Sequence, residues 1–308
     1  MIRPEENIYQ IPWIPWFPVD SEPLAPAIRV QVEKAELRIV FSKFAIETVN
    51  KAGLDCVYVP HGVDTKAFKP MTKDERGEAR KWLGWPEDAF VVGMVAANKG
   101  TPSRKSFCAA LEAFAKFRKK HTDAFLYLHT NKSENGENNG VNLPELCAWL
   151  ELGPDAVRFC DQYTYLLGFP TSYMAKAYGA MDVHMLPSMG EGFGIPIVEA
   201  QACGTPVIVG DWTAMSELCF SGWKIPKEDA EPWWTPLATY QYRPHIGGIV
   251  NALERSYEGR GKEHLRKKAR VGALDYDADL IAERYWKPVL EAVEESLKER
   301  TKLELVKF

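Results

Sequence analysis

The sequence predicts an α/β protein built on a doubly wound parallel sheet, preceded by a shorter and less regular segment. Three observations carry this prediction. Five short apolar runs read as buried strands: Phe90-Val-Val-Gly-Met-Val-Ala96, Ala124-Phe-Leu-Tyr-Leu-His129, Val157-Arg-Phe-Cys160, Asp182-Val-His-Met-Leu-Pro187 and Pro206-Val-Ile-Val-Gly210. Helical stretches fall between them, and strand–helix alternation of this kind closes into a parallel sheet covered on both faces. The fourth and fifth runs are joined by a glycine-rich loop that turns into a short helix, Ser188 to Pro206.

The elements follow in order. Ile11-Pro-Trp-Ile-Pro-Trp-Phe-Pro-Val-Asp20-Ser-Glu-Pro23 is dense in proline and large aromatics, which forbids a helix interior and disfavours a central strand. It reads either as a linker laying its tryptophans on a surface or as a strand-and-loop piece of something larger. Residues 27–37 look helical, Arg38-Ile-Val-Phe41 is a short buried strand, and Ser42 caps a helix reaching about Ala52. Cys56-Val-Tyr-Val59 is the next strand, and Pro60 to Pro70 is a loop. Helices are expected near 105–120, over Leu143–Leu152, around 171–180, near 246–258, over the basic stretch 260–270, and from about 277 to 300. The polar run 130–142 reads as an exposed excursion, and 211–245 as irregular.

Composition narrows the classes. With 308 residues, 46% hydrophobic and 26% charged, the chain has ample material for a core. A formal net charge of -4 offers nothing to a polyanion. Arg260, Lys262, Arg266, Lys267, Lys268 and Arg270 read as a solvated helix face. Cysteines 56, 108, 147, 160, 203 and 219 include no C-x-x-C pair and read as reduced core thiols in a cytoplasmic setting. No run has the apolar length of a membrane span.

The loop from Ser188 to Gly204 carries the chemistry. Gly192 and Gly194 let backbone approach a ligand, Pro196 suits a first helical turn, and Gly204 is placed to end the helix. A strand–loop–helix junction presents free N–H groups and the positive end of a helix dipole, so it suits an anion. Glu191 and Glu199 flank it with seven residues between them. A second cationic loop, Asn98 to Ser106, follows the first strand of the sheet and holds Lys99, Arg104 and Lys105.

Together the Glu pair and its Gly-Phe-Gly resemble the donor-binding signature of retaining GT-B glycosyltransferases, in particular the large family 4. Pro60-His-Gly-Val-Asp64…Phe68 is an independent match, resembling the segment that opens their C-terminal domain. The resemblance covers roughly residues 38–300. It implies a GT-B type, Rossmann-like donor domain at 56–275, a remnant of an N-terminal acceptor domain at 1–55, and a C-terminal helix and tail at 276–308. It further implies that a sugar moves from a UDP- or GDP-linked donor to a glycan, lipid or other hydroxyl acceptor. The nucleotide sugar is a substrate; no separate cofactor and no metal is implied. The reaction keeps the anomeric configuration, on one face of the sugar.

Carried over residue by residue, Glu191 lies beside the hexose, where Phe193 and Gly194 donate N–H groups to its hydroxyls. Lys105 grips the diphosphate, with Gly192, Ile195 and Arg104 beside it. Glu199 accepts from the ribose hydroxyls, and Tyr163, with Asp161 and Gln162, lies near the base. Family members often carry an arginine after a strand glycine; here Met94 follows Gly93, and Arg104 or Lys99 is left to supply that contact. His61 faces the cleft or serves a structural hydrogen bond, and His184 reads as core. The acceptor half is not accounted for. The sequence is a fragment, or a partner chain supplies that half, or two copies cover each other.

Overall fold

The computed structural model describes residues 12–100, 102–132 and 140–306. Ile11, Thr101 and residues 133–139 of the polar run lie outside the described residues.

A small unit comes first: β1 (Trp16–Phe17), α1 (Pro26–Val32), β2 (Ile39–Val40), α2 (Lys43–Lys51) and β3 (Val57–Tyr58). Its strands pair in parallel in the order β1-β2-β3. Ser42 caps α2 by accepting from the Ala45 N–H at 3.1 Å. The proline-rich stretch is therefore no linker. Trp16 is a strand residue, and its indole N–H donates to the Val59 carbonyl at 2.9 Å.

The larger unit follows: α3 (Lys73–Leu83), β4 (Phe90–Val95), α4 (Phe107–Arg118), β5 (Ala124–His129), α5 (Leu143–Trp149), β6 (Val157–Phe159), α6 (Gln162–Leu167), α7 (Thr171–Ala180), β7 (Val183–Leu186), α8 (Ile195–Ala202), β8 (Val207–Gly210), α9 (Thr213–Glu217) and β9 (Gly222–Ile225). The six strands are all parallel, in the order β6-β5-β4-β7-β8-β9. That is the doubly wound arrangement, and its order reverses between β4 and β7, where such sheets open a crevice at the carboxyl ends of their strands. The central strands are largely apolar and buried because helices cover both faces.

The segment 211–245 is a correction to the sequence reading. It contains α9, the edge strand β9, and an antiparallel hairpin of β10 (Ala230–Trp234) and β11 (Tyr240–Pro244). Strand β9 buries only Trp223 and Ile225, so its alternation is too short to stand out. The hairpin holds Pro232 within a strand, which a two-stranded ribbon tolerates because both its strands are edges. Side-chain stacking supports it: the Arg243 guanidinium lies 3.7 Å from the Trp233 ring centre, and Trp234 meets Tyr240 edge to face.

The chain ends with α10 (Ile246–Glu258), α11 (Glu263–Leu274), α12 (Ala278–Ile281), a π turn (Ala282–Trp286) and α13 (Lys287–Val306). The π turn places Tyr285 against Tyr58 at 5.5 Å and Trp286 against Trp16 at 5.0 Å, so the small unit itself receives them. The basic stretch is only partly solvated. Arg266 and Arg270 turn inward and donate to the carbonyls of Cys203 and Ala202, the orphan acceptors at the end of α8. Among the described residues no helix is long and apolar enough to cross a membrane.

Helix α3, which the sequence reading did not place, opens on a capping box between Thr72 and Glu75 and closes on Gly84 at φ 66°. Arg76 and Arg80 on its inner face reach Asp182 at 2.9 and 2.7 Å, and Asp182 also accepts from the Val91 N–H at 2.8 Å. One carboxylate thus ties α3 to the two strands that flank the crevice.

Candidate active site

The loops leaving β4 and β7 meet at the crevice and zip together. The Met189 N–H donates to the Arg104 carbonyl at 2.8 Å, and the Arg104 guanidinium donates to the Gly190 carbonyl. This brings Lys105 and Glu191, 86 residues apart in sequence, into a direct ion pair. Their side chains are only 16% and 8% exposed, so the pair sits largely out of water. Burial pushes the Lys105 ammonium below the usual lysine range, and Glu191 opposes that shift. Arg104 is the more open cation, with one nitrogen 3.6 Å from Glu191 and 3.5 Å from Asp20.

The Glu191 loop is held from several sides. Its N–H at Glu191 donates to the Thr213 hydroxyl at 3.1 Å, and the Trp212 indole donates to the Ser188 carbonyl at 3.0 Å. Tyr242 of the hairpin donates its N–H to the Met189 carbonyl at 2.9 Å. Gly194 is the N-cap of α8 at φ 111°, a conformation that favours glycine, and Ile195 begins the helix half-exposed. Phe193 turns inward and packs on His61 and Tyr276, at 5.1 and 5.8 Å between ring centres. His61 is enclosed by Trp16, Phe41 and Phe193, and burial lowers its pKa.

The tight glycines serve the chain's own fold. A Cβ at Gly192 would stand 2.4 Å from the Cβ of Pro18, and one at Gly190 would stand 2.0 Å from the Asp20 carbonyl oxygen. The stretch 18–22 therefore lies across the Glu191 loop as a strap. Its far side is fastened to the hairpin by a pair of backbone hydrogen bonds between Glu22 and Tyr240, at 3.2 and 2.6 Å. The Glu22 carboxylate also accepts from Lys227 and Tyr242, each at 2.9 Å.

The remaining predicted residues lie on α8, α6, β4, β7 and the loop after β4. Glu199, in the second turn of α8, accepts from the Tyr178 hydroxyl at 2.9 Å, and burial raises its pKa. Tyr163 is 73% exposed at the start of α6, beyond β6 and so two strands from β4. Gln162 is committed to main chain, bonding Thr130, Cys160 and Lys132. Met94 lies inside β4 with its side chain fully buried, whereas Lys99 is exposed in the loop beyond the strand. His184 is buried in β7 and accepts from the Val95 N–H at 3.3 Å. Asp20, Tyr178 and Thr213 escaped the sequence reading. They reach the site from distant segments, and no local pattern marks them.

Residues 89–237 match the family model described as Glycosyl transferases group 1. The chain is 30% identical over 207 residues to the D-inositol 3-phosphate glycosyltransferase of Saccharomonospora viridis, covering 66% of this chain and 46% of that one. It is 31% identical over 226 residues to that of Stackebrandtia nassauensis, covering 71% and 44%. The chain thus spans under half the length of these curated relatives. Among solved structures, Anabaena Alr3699/HepE in complex with UDP superposes with a TM-score of 0.69 at 21% identity, over 92% of this chain and 72% of that one. Sucrose-phosphate synthase from Thermosynechococcus elongatus superposes with a TM-score of 0.67 at 22% identity, over 89% and 61%. At such identities the likeness speaks for the fold, and it is the fold the sheet order already describes. Through residues 89–237 the chain matches the glycosyl transferases group 1 family, on a GT-B type fold.

Proposed function

We propose that the chain moves a hexosyl group from a UDP- or GDP-sugar to a hydroxyl acceptor, with retention of configuration and without a metal. The observation that carries this reading is the Arg104–Lys105–Glu191 cluster, set at the crevice between β4 and β7 inside the family-matched stretch. A diphosphate leaving group needs fixed positive charge in a place partly shielded from water. Lys105, Arg104 and the N–H groups at the start of α8 supply it in the role a metal often takes.

In this scheme the bond from the anomeric carbon to the phosphate oxygen breaks as the acceptor oxygen bonds to the same face. The departing phosphate takes the acceptor's proton. Glu191 and the Phe193 and Gly194 N–H groups hold the hexose, with Gly192 and Ile195 shaping the loop. Glu199 accepts from the ribose hydroxyls through the oxygen that Tyr178 does not use, and Tyr163 lies toward the base. The six unpaired cysteines support a cytoplasmic setting. Glycan, lipid and other hydroxyl acceptors fit the scheme.

Every residue assigned here faces the donor. That supports a second reading, a nucleotide-sugar binding module that turns over only when a partner chain or second copy completes the acceptor site. Incubation with UDP- and GDP-hexoses, following nucleoside diphosphate release and the anomeric configuration of the product, tests both. Retained configuration with release supports transfer, and binding without release until a partner is added supports the module. Absence of binding, or donor affinity unchanged in Glu199→Ala, overturns the donor-site assignment.

A further inference from the structure

The strap carries a charge into the site that the donor chemistry does not require. Asp20 and Glu191 stand on either side of the Arg104 guanidinium, at 3.5 and 3.6 Å from the same nitrogen. With Lys105 on Glu191, the cluster holds two carboxylates and two cations, and so has no net charge. Asp20 is not there by accident of a loose segment. Its carbonyl is pressed on Gly190, Pro18 before it is pressed on Gly192, and Glu22 after it is laced to the hairpin. Asp20 and Arg104 are 34% and 39% exposed, so this half of the cluster opens to solvent while the Lys105–Glu191 half is closed.

We propose that Asp20 is a built-in counter-anion that occupies Arg104 until the donor's diphosphate displaces it, and so limits how tightly the nucleoside diphosphate is held. The proposal rests on the nucleotide-sugar reading of this site. An incoming diphosphate meets a neutral cluster and must win Arg104 from a carboxylate already in place. The same carboxylate recaptures Arg104 as the nucleoside diphosphate departs, which favours product release.

The test is a calorimetric titration of UDP and of GDP into the full chain, comparing wild type with Asp20→Asn, Asp20→Glu, Arg104→Gln and the Asp20→Asn/Arg104→Gln double variant. Asn keeps the shape of residue 20 and the backbone contact to Gly190, so the strap stays seated. Removing a partly exposed competing charge worth up to about 1 kcal/mol tightens binding roughly fivefold. The gain shrinks at high salt and vanishes in the Arg104→Gln background. Asp20→Glu binds as wild type does. Damage to the strap weakens binding instead, so the direction of the change separates the two roles. Unchanged or weaker binding by Asp20→Asn, with Arg104→Gln still impaired, overturns the counter-anion. Failure of the wild-type chain to bind either nucleotide overturns the reading beneath it, and the wild-type titration alone reveals that case.

Discussion

Gly190 meets Asp20 through bare backbone: a Cβ on the glycine would stand 2.0 Å from the aspartate's carbonyl oxygen. The flexible end of a side chain can yield to an added methyl, but a carbonyl in a laced segment cannot. Gly190→Ala is therefore expected to lift the strap, with an overpacking cost of about 1–3 kcal/mol. Thermal unfolding measures the cost, and amide exchange across residues 16–24 locates it. Full protection of that stretch in the variant would show that the strap is not seated on the loop.

The Lys105–Glu191 pair is nearly dry, so each partner depends on the other. Glu191→Gln alone should destabilise the fold by about 3–5 kcal/mol, because it leaves Lys105 buried without its carboxylate. Lys105→Met should cost less, because Arg104 stays 3.6 Å from Glu191. The double variant should recover much of that loss while binding UDP and GDP poorly. Urea denaturation beside nucleotide titration separates the two effects. A double variant no more stable than either single one would argue against direct coupling.

Acid should weaken the protein through two histidines. Burial lowers His184 to about 3 and His129 to about 4, so both are neutral when folded at moderate pH. Unfolded, they titrate near pH 6.5, and the unfolded state then binds more protons. Their contribution is whole above about pH 6.5 and drains as pH falls toward 4, at roughly 1.4 kcal/mol per pH unit for each proton. Urea midpoints between pH 7.5 and 4.5 should show this slope, reduced in His129→Gln.

Glu217 works in the opposite sense. It accepts from the Lys43 N–H at the start of α2, at 3.0 and 3.1 Å, and burial raises it to about 7. A carboxyl raised in the fold favours the folded state below its ordinary pKa near 4.5, an advantage lost as pH rises through 7. Glu217→Gln should steepen the net rise in stability between pH 4.5 and 7. An unaltered pH profile in this variant would remove Glu217 from the balance.

Asp182 joins α3 to β4 and β7 through Arg76, Arg80 and the Val91 N–H. Asp182→Ala leaves two guanidinium groups without their carboxylate, and a loss of about 3–5 kcal/mol is expected. Below its lowered melting point the variant should still bind UDP or GDP as wild type does. Impaired binding in folded protein would mean that this tie reaches the crevice.

Much of the sheet is readable in the sequence because its strands are buried on both faces. Phe90–Val95 and Ala124–His129 are continuous apolar runs for that reason. The Ser42 cap is just as plain, being a local hydrogen bond. The hairpin is not readable in this way. Its strands mix Pro232, Trp233 and Arg243, and much of its support comes from Glu22, more than 200 residues earlier. Helix α3 carries its capping box openly, but its strongly charged sequence hides the face that docks on Asp182.

The site divides along the same line. Glu191, Lys105 and the Gly-Phe-Gly turn lie in loops whose spacing marks them, and the structure brings Glu191 and Lys105 together. Asp20 was legible only as part of a proline-rich loop. Its place depends on a backbone contact that the absence of a side chain at Gly190 permits, and sequence alone does not say which distant carbonyl will fill that gap.

The contact between Trp16 and Trp286 has a consequence for how the chain is made. A ribosome delivers Trp286 some 270 residues after Trp16, so one wall of the small unit is missing throughout that interval. The six-stranded sheet can assemble before Trp286 is made, since all its strands lie within residues 90–225. Strands β1–β3 must wait for the π turn and its Trp286, and closing so long a loop is a slow, entropically costly step. Nascent chains arrested before residue 280 should therefore protect β4–β9 from protease while Trp16 stays open to attack; equal protection of both would show that the small unit closes without its late partner.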